Sequence, residues 1–196
     1  MRLRFLPLMF VLLLAACVDT TGLSKETSRT PKGNPNAAVV VTEFADLQCP
    51  SCKAASTAIV APLLQQFGST IRFEYMHFPL RTLHPHALNS ALGAECAADQ
   101  GKFWEFTDKA YIEQDKMSKD RIKAWANELG LDMDLFNRCV ASKIKQDTIL
   151  ADYEKGRELG VNGTPTFFIN GKRVKTDLQK MIDAINAAQQ GAMQRL

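Results

Sequence analysis

Glu43-Phe44-Ala45-Asp46-Leu47-Gln48-Cys49-Pro50-Ser51-Cys52 is the stretch whose reading decides the fold. Val39 to Val41 are apolar and β-branched, and Phe44 and Ala45 continue the run, which suits a strand covered on both faces. From Ala54 the pattern turns helical, with Ala54, Ala55, Ala58, Ile59, Leu63 and Phe67 at helical spacing. Pro50 stands where a first-turn proline is tolerated, since its missing N–H would be unpaired there anyway. Cys49 is therefore placed at a helix N-terminus and Cys52 one turn in, on the same face. The positive end of a helix stabilises a thiolate, which is the reactive form of cysteine. Cys49 is expected to be the acidic, exposed nucleophile and Cys52 the more buried, resolving thiol. Two other readings of a Cys-x-x-Cys stay open here: half of a zinc site, which would need two more ligands at close spacing, and an inert structural disulfide.

Working outward, the helix after Cys49 is expected to reach Gly68, kinked at Pro62. The segment Ile71 to Phe78 alternates apolar and polar residues and reads as a second strand, so the first unit is a right-handed, parallel βαβ. Residues 86 to about 159 read as helices throughout. Gly101, Gly130 and Gly160 break them, and Ser118 and Asp132 stand as N-caps. The aromatic residues at helical spacing there, Phe103, Trp104, Phe106, Trp125 and Phe136 among them, read as packing. Strand character returns at Thr166 to Ile169, Asn170-Gly171 signals a hairpin, Arg173-Val174 is the return strand, and Asp177 caps a terminal helix. The order is β-α-β, a helical block, then β-β-α, with no internal repeat.

The chain has 196 residues, enough for one domain with a sizeable core. Its start reads as a targeting segment. Met1-Arg2-Leu3-Arg4 is a short basic region and Phe5 to Leu14 an apolar one, too short to span a bilayer. Leu14-Ala15-Ala16-Cys17 resembles the lipobox of bacterial lipoproteins, in which the cysteine is lipidated and becomes the mature N-terminus; an ordinary secretory signal is the alternative. On this reading 1–16 is a signal peptide, and 17–37, rich in Thr, Ser, Lys, Pro, Gly and Asn, is a lipid-bearing flexible tether. Residues 38–190 form the folded domain. Export places the chain in the cell envelope, where disulfides persist. Val18 after the lipidated cysteine favours the outer over the inner membrane by the sorting rule of enteric-type bacteria. Lys plus Arg number 24 against 21 acids, and no basic patch argues for nucleic acid.

The layout and its motifs resemble the thioredoxin superfamily, specifically the DsbA-like thiol-disulfide oxidoreductases, over roughly Val39 to Ala187. Three stretches carry the resemblance: Glu43-Phe44 through Cys49-Pro50-Ser51-Cys52; His84-Pro85-His86-Ala87 with Glu95-Cys96-Ala97 and Gln100-Gly101-Lys102-Phe103-Trp104; and Gly160-Val161-Asn162-Gly163-Thr164-Pro165-Thr166-Phe167. The resemblance implies an α/β thioredoxin-like fold in which a helical insertion, about 84–159, separates the βαβ and ββα halves and flanks a substrate groove. It implies that Cys49 and Cys52 form a redox disulfide. It also implies that Pro165, with Thr164 before it, is the family's cis proline facing the cysteines, where backbone groups pair with an extended substrate; a trans proline starting a strand is the alternative. Glu43 matches the family's buried acid beneath the disulfide, with a raised pKa and a proton to exchange with Cys52; a solvent-facing glutamate is the alternative.

Of the remaining cysteines, Cys96 and Cys139 both lie in the helical block beside apolar neighbours, Leu92 and Phe136. In an oxidising compartment they are expected to be bridged; two separate buried thiols are the alternative. His77, His84 and His86 are the histidines of the chain. Capping and packing account for His84 and His86 better than a metal does, and neither metal nor cofactor is expected.

The best-known strong oxidants of this family carry histidine inside the motif. Ser51 brings no positive charge, so a less extreme oxidant is expected. The implied function is a monomeric, membrane-tethered enzyme that oxidises thiols of unfolded exported proteins and is itself reoxidised by a quinone-linked, DsbB-like membrane partner. The alternatives are a reductase or isomerase of the same fold, and a non-catalytic peptide-binding lipoprotein.

Overall fold

The computed structural model describes residues 18–194; the expected signal segment 1–16 and the lipidation candidate Cys17 lie outside the described residues. The chain runs β1 (Lys32–Gly33), β2 (Val39–Ala45), α1 (Pro50–Ala55), a π-helical turn (Ser56–Val60), α2 (Ala61–Phe67) and β3 (Ile71–His77). The helical block follows as α3 (Ala87–Ala98), α4 (Phe103–Ile112), a 3-10 turn (Gln114–Lys116), α5 (Lys119–Glu128), α6 (Met133–Ser142) and α7 (Gln146–Glu158). Then come β4 (Thr166–Ile169), β5 (Lys172–Val174) and α8 (Leu178–Met193). This is the α/β layout expected from the sequence, with the helical block inserted between its two halves.

The sheet has the order β1-β3-β2-β4-β5. β2 pairs in parallel with β3, Glu43 opposite Tyr75, and antiparallel with β4, Phe44 opposite Thr166. Alternation along β2 sorts its side chains into two cores. Val39 and Val41 join Phe73, Phe167, Leu63 and Met181 in the layer covered by α1, α2 and α8. Phe44 turns the other way, onto Phe78, Phe168 and Val161. Gly156 of α7 sits over that second face, where an added Cβ would meet the Phe44 and Phe78 rings at 2.9 and 2.7 Å. The hairpin between β4 and β5 turns at Asn170 and Gly171, both at positive φ (46° and 76°), as its Asn-Gly sequence requires. Ser118, Asp132 and Asp177 cap α5, α6 and α8 with their side chains.

Two expectations are corrected. The helix after Cys49 is not a single kinked α-helix. A π-helical turn precedes Pro62, whose ring nitrogen has no hydrogen to give the carbonyl four residues back, and the wider turn accommodates that missing bond. The second correction concerns 17–37. Its described part is no flexible tether but a strap laid across the helical block, ending as strand β1 on the edge of β3.

Leu23 packs against the core of the helical block, and the other ties that hold the strap are polar. Arg29, about 10% exposed, sets Nε 3.0 Å from Glu95 Oε1 and Nη1 2.7 Å from Asp152 Oδ2. The Trp104 indole donates to Thr30 O at 2.9 Å, Lys145 donates to Glu26 O and pairs with Asp99, and Arg138 donates to Thr21 O at 2.9 Å. Local composition with few large apolar residues reads as a linker, because the acids that receive Arg29 lie more than sixty residues on. The expected start of the domain at 38 therefore moves toward the N-terminus, and its last helix reaches Met193 rather than 190.

Removing Arg29 strands two buried carboxylates. Burial alone would raise Glu95, but His77 and Arg29 outweigh it and hold its pKa below the ordinary carboxylate value. Arg29→Met should cost about 3–5 kcal/mol, the usual penalty for breaking a buried pair from one side. Urea unfolding measures this, and a loss under about 1 kcal/mol would mean that the strap is not held by this residue.

Candidate active site

The site is built at one end of the sheet. Cys49 is the N-cap of α1, with extended backbone (φ −77°, ψ 120°), and Pro50 follows in the first turn. The loop that carries it is fastened from three directions. Asp46, buried, accepts at Oδ1 from Gln48 N (2.8 Å), and its Oδ2 accepts from Leu80 N (2.9 Å) and lies 2.7 Å from His84 Nδ1. Gln48 Oε1 accepts from His86 N at 2.6 Å. Gln114, reaching from the helical block, donates from Nε2 to the carbonyls of Leu47 (2.8 Å) and Cys49 (3.0 Å). His84 and His86 thus tie the loop before α3 to the cysteine loop. Among the described residues no group of three or more His, Cys, Asp or Glu is arranged to hold a metal.

Cys49 and Cys52 are in the dithiol form. Cys49 is less exposed than its expected role suggested, about 6%, because the turns before α1 and β4 close over it; Cys52 is fully buried. Thr164 and Pro165, joined by a cis peptide bond, stand against the pair. The Cys49 thiol lies 3.4 Å from Thr164 O, and the Thr164 hydroxyl is buried beside it.

These surroundings split the two thiols. Cys49 is held down to about 5, chiefly by a hydrogen bond from the Cys52 thiol, then against burial by the Thr164 side-chain hydroxyl and the backbone N–H groups of Cys52 and Ser51. Cys52 is pushed far up by burial, by its bond to Cys49 and by the charge of Glu43, with only Asp46 N, 3.5 Å from its sulfur, working the other way. Glu43 is about 3% exposed and its Oε1 has no partner within the protein. Burial, reinforced by the charge on Cys49, raises it to about 8. Cys96 and Cys139 are joined in a disulfide that links α3 to α6, apart from this site.

Asp46, Gln48, Gln114 and His84 are site residues that sequence reading did not single out for this work. Asp46 and Gln48 lie inside the quoted motif and carried a signal as polar residues in a buried turn. Gln114 carried none, since only the packed helical block brings it to Cys49.

A family model described as Thioredoxin matches residues 24–187. The crystal structure of a thioredoxin-like oxidoreductase from Silicibacter pomeroyi DSS-3 is 26% identical and superposes with a TM-score of 0.72 over 84% of this chain and 94% of that one. The thiol-disulfide exchange protein alpha-DsbA2 of Wolbachia pipientis is 27% identical, with a TM-score of 0.70 over 81% and 86% of the two chains. A curated relative, the Na(+)/H(+) antiporter NhaA 3 of Salinispora tropica, is 39% identical over 142 residues, which is 72% of this chain but 22% of that protein. The chain thus spans under a quarter of that relative, and antiport belongs to the whole of that protein. No helix among the described residues is long and apolar enough to cross a membrane.

A thiol at about 5 has a kinetic signature. Alkylation of Cys49 in the reduced protein should be half-maximal near pH 5, level above it and tenfold slower per pH unit below it. Cys52→Ala removes the strongest donor and should move the midpoint up by about one to two units. A wild-type midpoint above pH 7, read by mass spectrometry of the alkylated peptide, would contradict the geometry described.

Proposed function

The chain belongs to the thioredoxin family as a DsbA-like thiol-disulfide oxidoreductase, and from that premise we propose that it oxidises thiols of unfolded exported proteins through a Cys49–Cys52 disulfide. A substrate thiolate attacks Cys49 Sγ, the Cys49–Cys52 bond breaks, and its electron pair goes to Cys52. Cys52 is a poor leaving group as a bare thiolate in its buried place, so it leaves with a proton. Glu43, protonated up to about pH 8, is the proposed source. A second substrate thiolate then attacks the substrate sulfur of the mixed disulfide, and Cys49 departs as a stable thiolate. Two electrons have passed from the substrate to the Cys49–Cys52 pair. A quinone-linked membrane protein is the proposed acceptor that restores the disulfide. Pro165 and Thr164 are proposed to align the substrate's backbone beside Cys49. The cell envelope and a lipid at Cys17 belong to the same proposal, resting on the residues before 18.

The observation that carries the direction of flow is the stabilised Cys49 thiolate. It favours the dithiol over the disulfide, and a pair whose reduced form is stabilised is an oxidant. Equilibration against glutathione should give a reduction potential of roughly −120 to −160 mV. A value of roughly −250 mV or lower would reverse the assignment to a reductase.

Glu43→Gln keeps the shape of the acid and removes its proton exchange. Oxidation of a dithiol peptide at pH 7 should slow about a hundredfold. An unchanged rate in stopped-flow would take Glu43 out of the step.

A further inference from the structure

A cavity of about 400 Å³ opens between α1, α2 and α4 and reaches Glu43. Its walls are largely apolar and partly aromatic, with Phe73, Trp104, Val60 and Leu64 among the lining residues. Its inner end is polar. Glu43, Tyr75 and Tyr111 line it, each more than nine-tenths buried. Glu43 Oε1 has no hydrogen-bond partner within the protein, and the Tyr75 and Tyr111 hydroxyls have no partner beyond each other. Buried polar atoms are nearly always paired, so an unpaired carboxyl oxygen beside two phenols that have only each other marks a place built to receive hydrogen bonds from something else.

The charged groups at the outer end are already engaged. Lys32 pairs with Asp108 at 3.7 Å and lies over the Trp104 ring, and Lys53 donates to Ile112 O. The inner end, two phenols and a carboxyl, offers no cation to an anionic ligand, which points to a neutral occupant. A flat ring suits the aromatic wall, and a hydroxyl, both donor and acceptor, suits two phenols and a carboxyl.

We propose that this cavity is a binding site for a neutral phenol-type small molecule, its ring against Trp104 and Phe73 and its hydroxyl among Glu43, Tyr75 and Tyr111. Burial keeps Glu43 protonated near neutral pH, so the inner end carries no net charge against such a ligand. Nothing in the site requires a particular direction of electron flow at Cys49.

The probe is 4-ethylphenol, followed by NMR on the two tryptophan indole N–H signals. Trp104 is on the wall and Trp125 is buried elsewhere, in the helical block. A saturable shift of the Trp104 signal with Trp125 unmoved is expected, with Kd on the order of 0.1–1 mM. Tyr75→Phe and Tyr111→Phe keep the rings and remove hydroxyls that line the inner end, and each should weaken binding about fivefold. Ethylbenzene, without the hydroxyl, should bind more weakly than 4-ethylphenol. Ala61→Phe, at the exposed rim, should block entry and serves if a tyrosine variant unfolds. A linear Trp104 response, equal shifts of both tryptophans, or affinity indifferent to Tyr75→Phe, Tyr111→Phe and Ala61→Phe would overturn the proposal.

Discussion

The antiparallel register of β2 against β4 is the constraint on which the site depends. Phe44 faces Thr166, so the end of one strand and the start of the other meet at the same edge of the sheet. The turn after β2 carries Cys49, and the turn before β4 carries Thr164 and Pro165, 115 residues further along in the contact between Cys49 and Thr164 O. Parallel pairing of β2 with β3 adds Tyr75 beside Glu43. A slip of one residue in either pairing would turn Glu43 to the opposite face and bring Phe44 beneath the cysteines, because side chains alternate along a strand. Strand register and chemistry are therefore a single requirement.

Within that frame the two thiols differ because their surroundings do. Cys49 has donors on several sides and a narrow opening to solvent. Cys52 sits in the apolar layer one turn on, next to a carboxyl. The same short helix thus holds one sulfur that is stable as an anion and one that is not. An exchange of disulfides needs this inequality, since it decides which sulfur departs readily and which must wait for a proton.

Much of this was legible in the sequence, for physical reasons that can be named. Glu43 interrupts an alternating apolar row, and period two puts it on the same face as Val39 and Val41, hence inside. Asn170-Gly171, Ser118, Asp132 and Asp177 act through their own backbone or within a turn, so they are readable locally. The strap was not legible, because its affinity for the domain lies in Arg29 and in acids supplied by α3 and α7. Gln114 was illegible for the same reason, its acceptors being backbone carbonyls that any sequence offers. The near-burial of Cys49 depends on the closeness of two distant turns, which no local pattern encodes.

The seam between the sheet and the helical block explains why polar atoms gather where they do. Helices and strands pair their backbone groups internally, so a seam between them has no spare donors or acceptors. Tyr75 from β3, Tyr111 from α4 and Glu43 from β2 all send polar atoms into that seam, and the backbone has nothing left to give them. Glu43 is consequently shared between the thiol pair on one side and the cavity on the other. A molecule that hydrogen-bonds it from the cavity favours one of its protonation states. Linkage then requires the reciprocal effect: the state of the Cys49–Cys52 pair, which acts on the same carboxyl, sets how well that molecule is held.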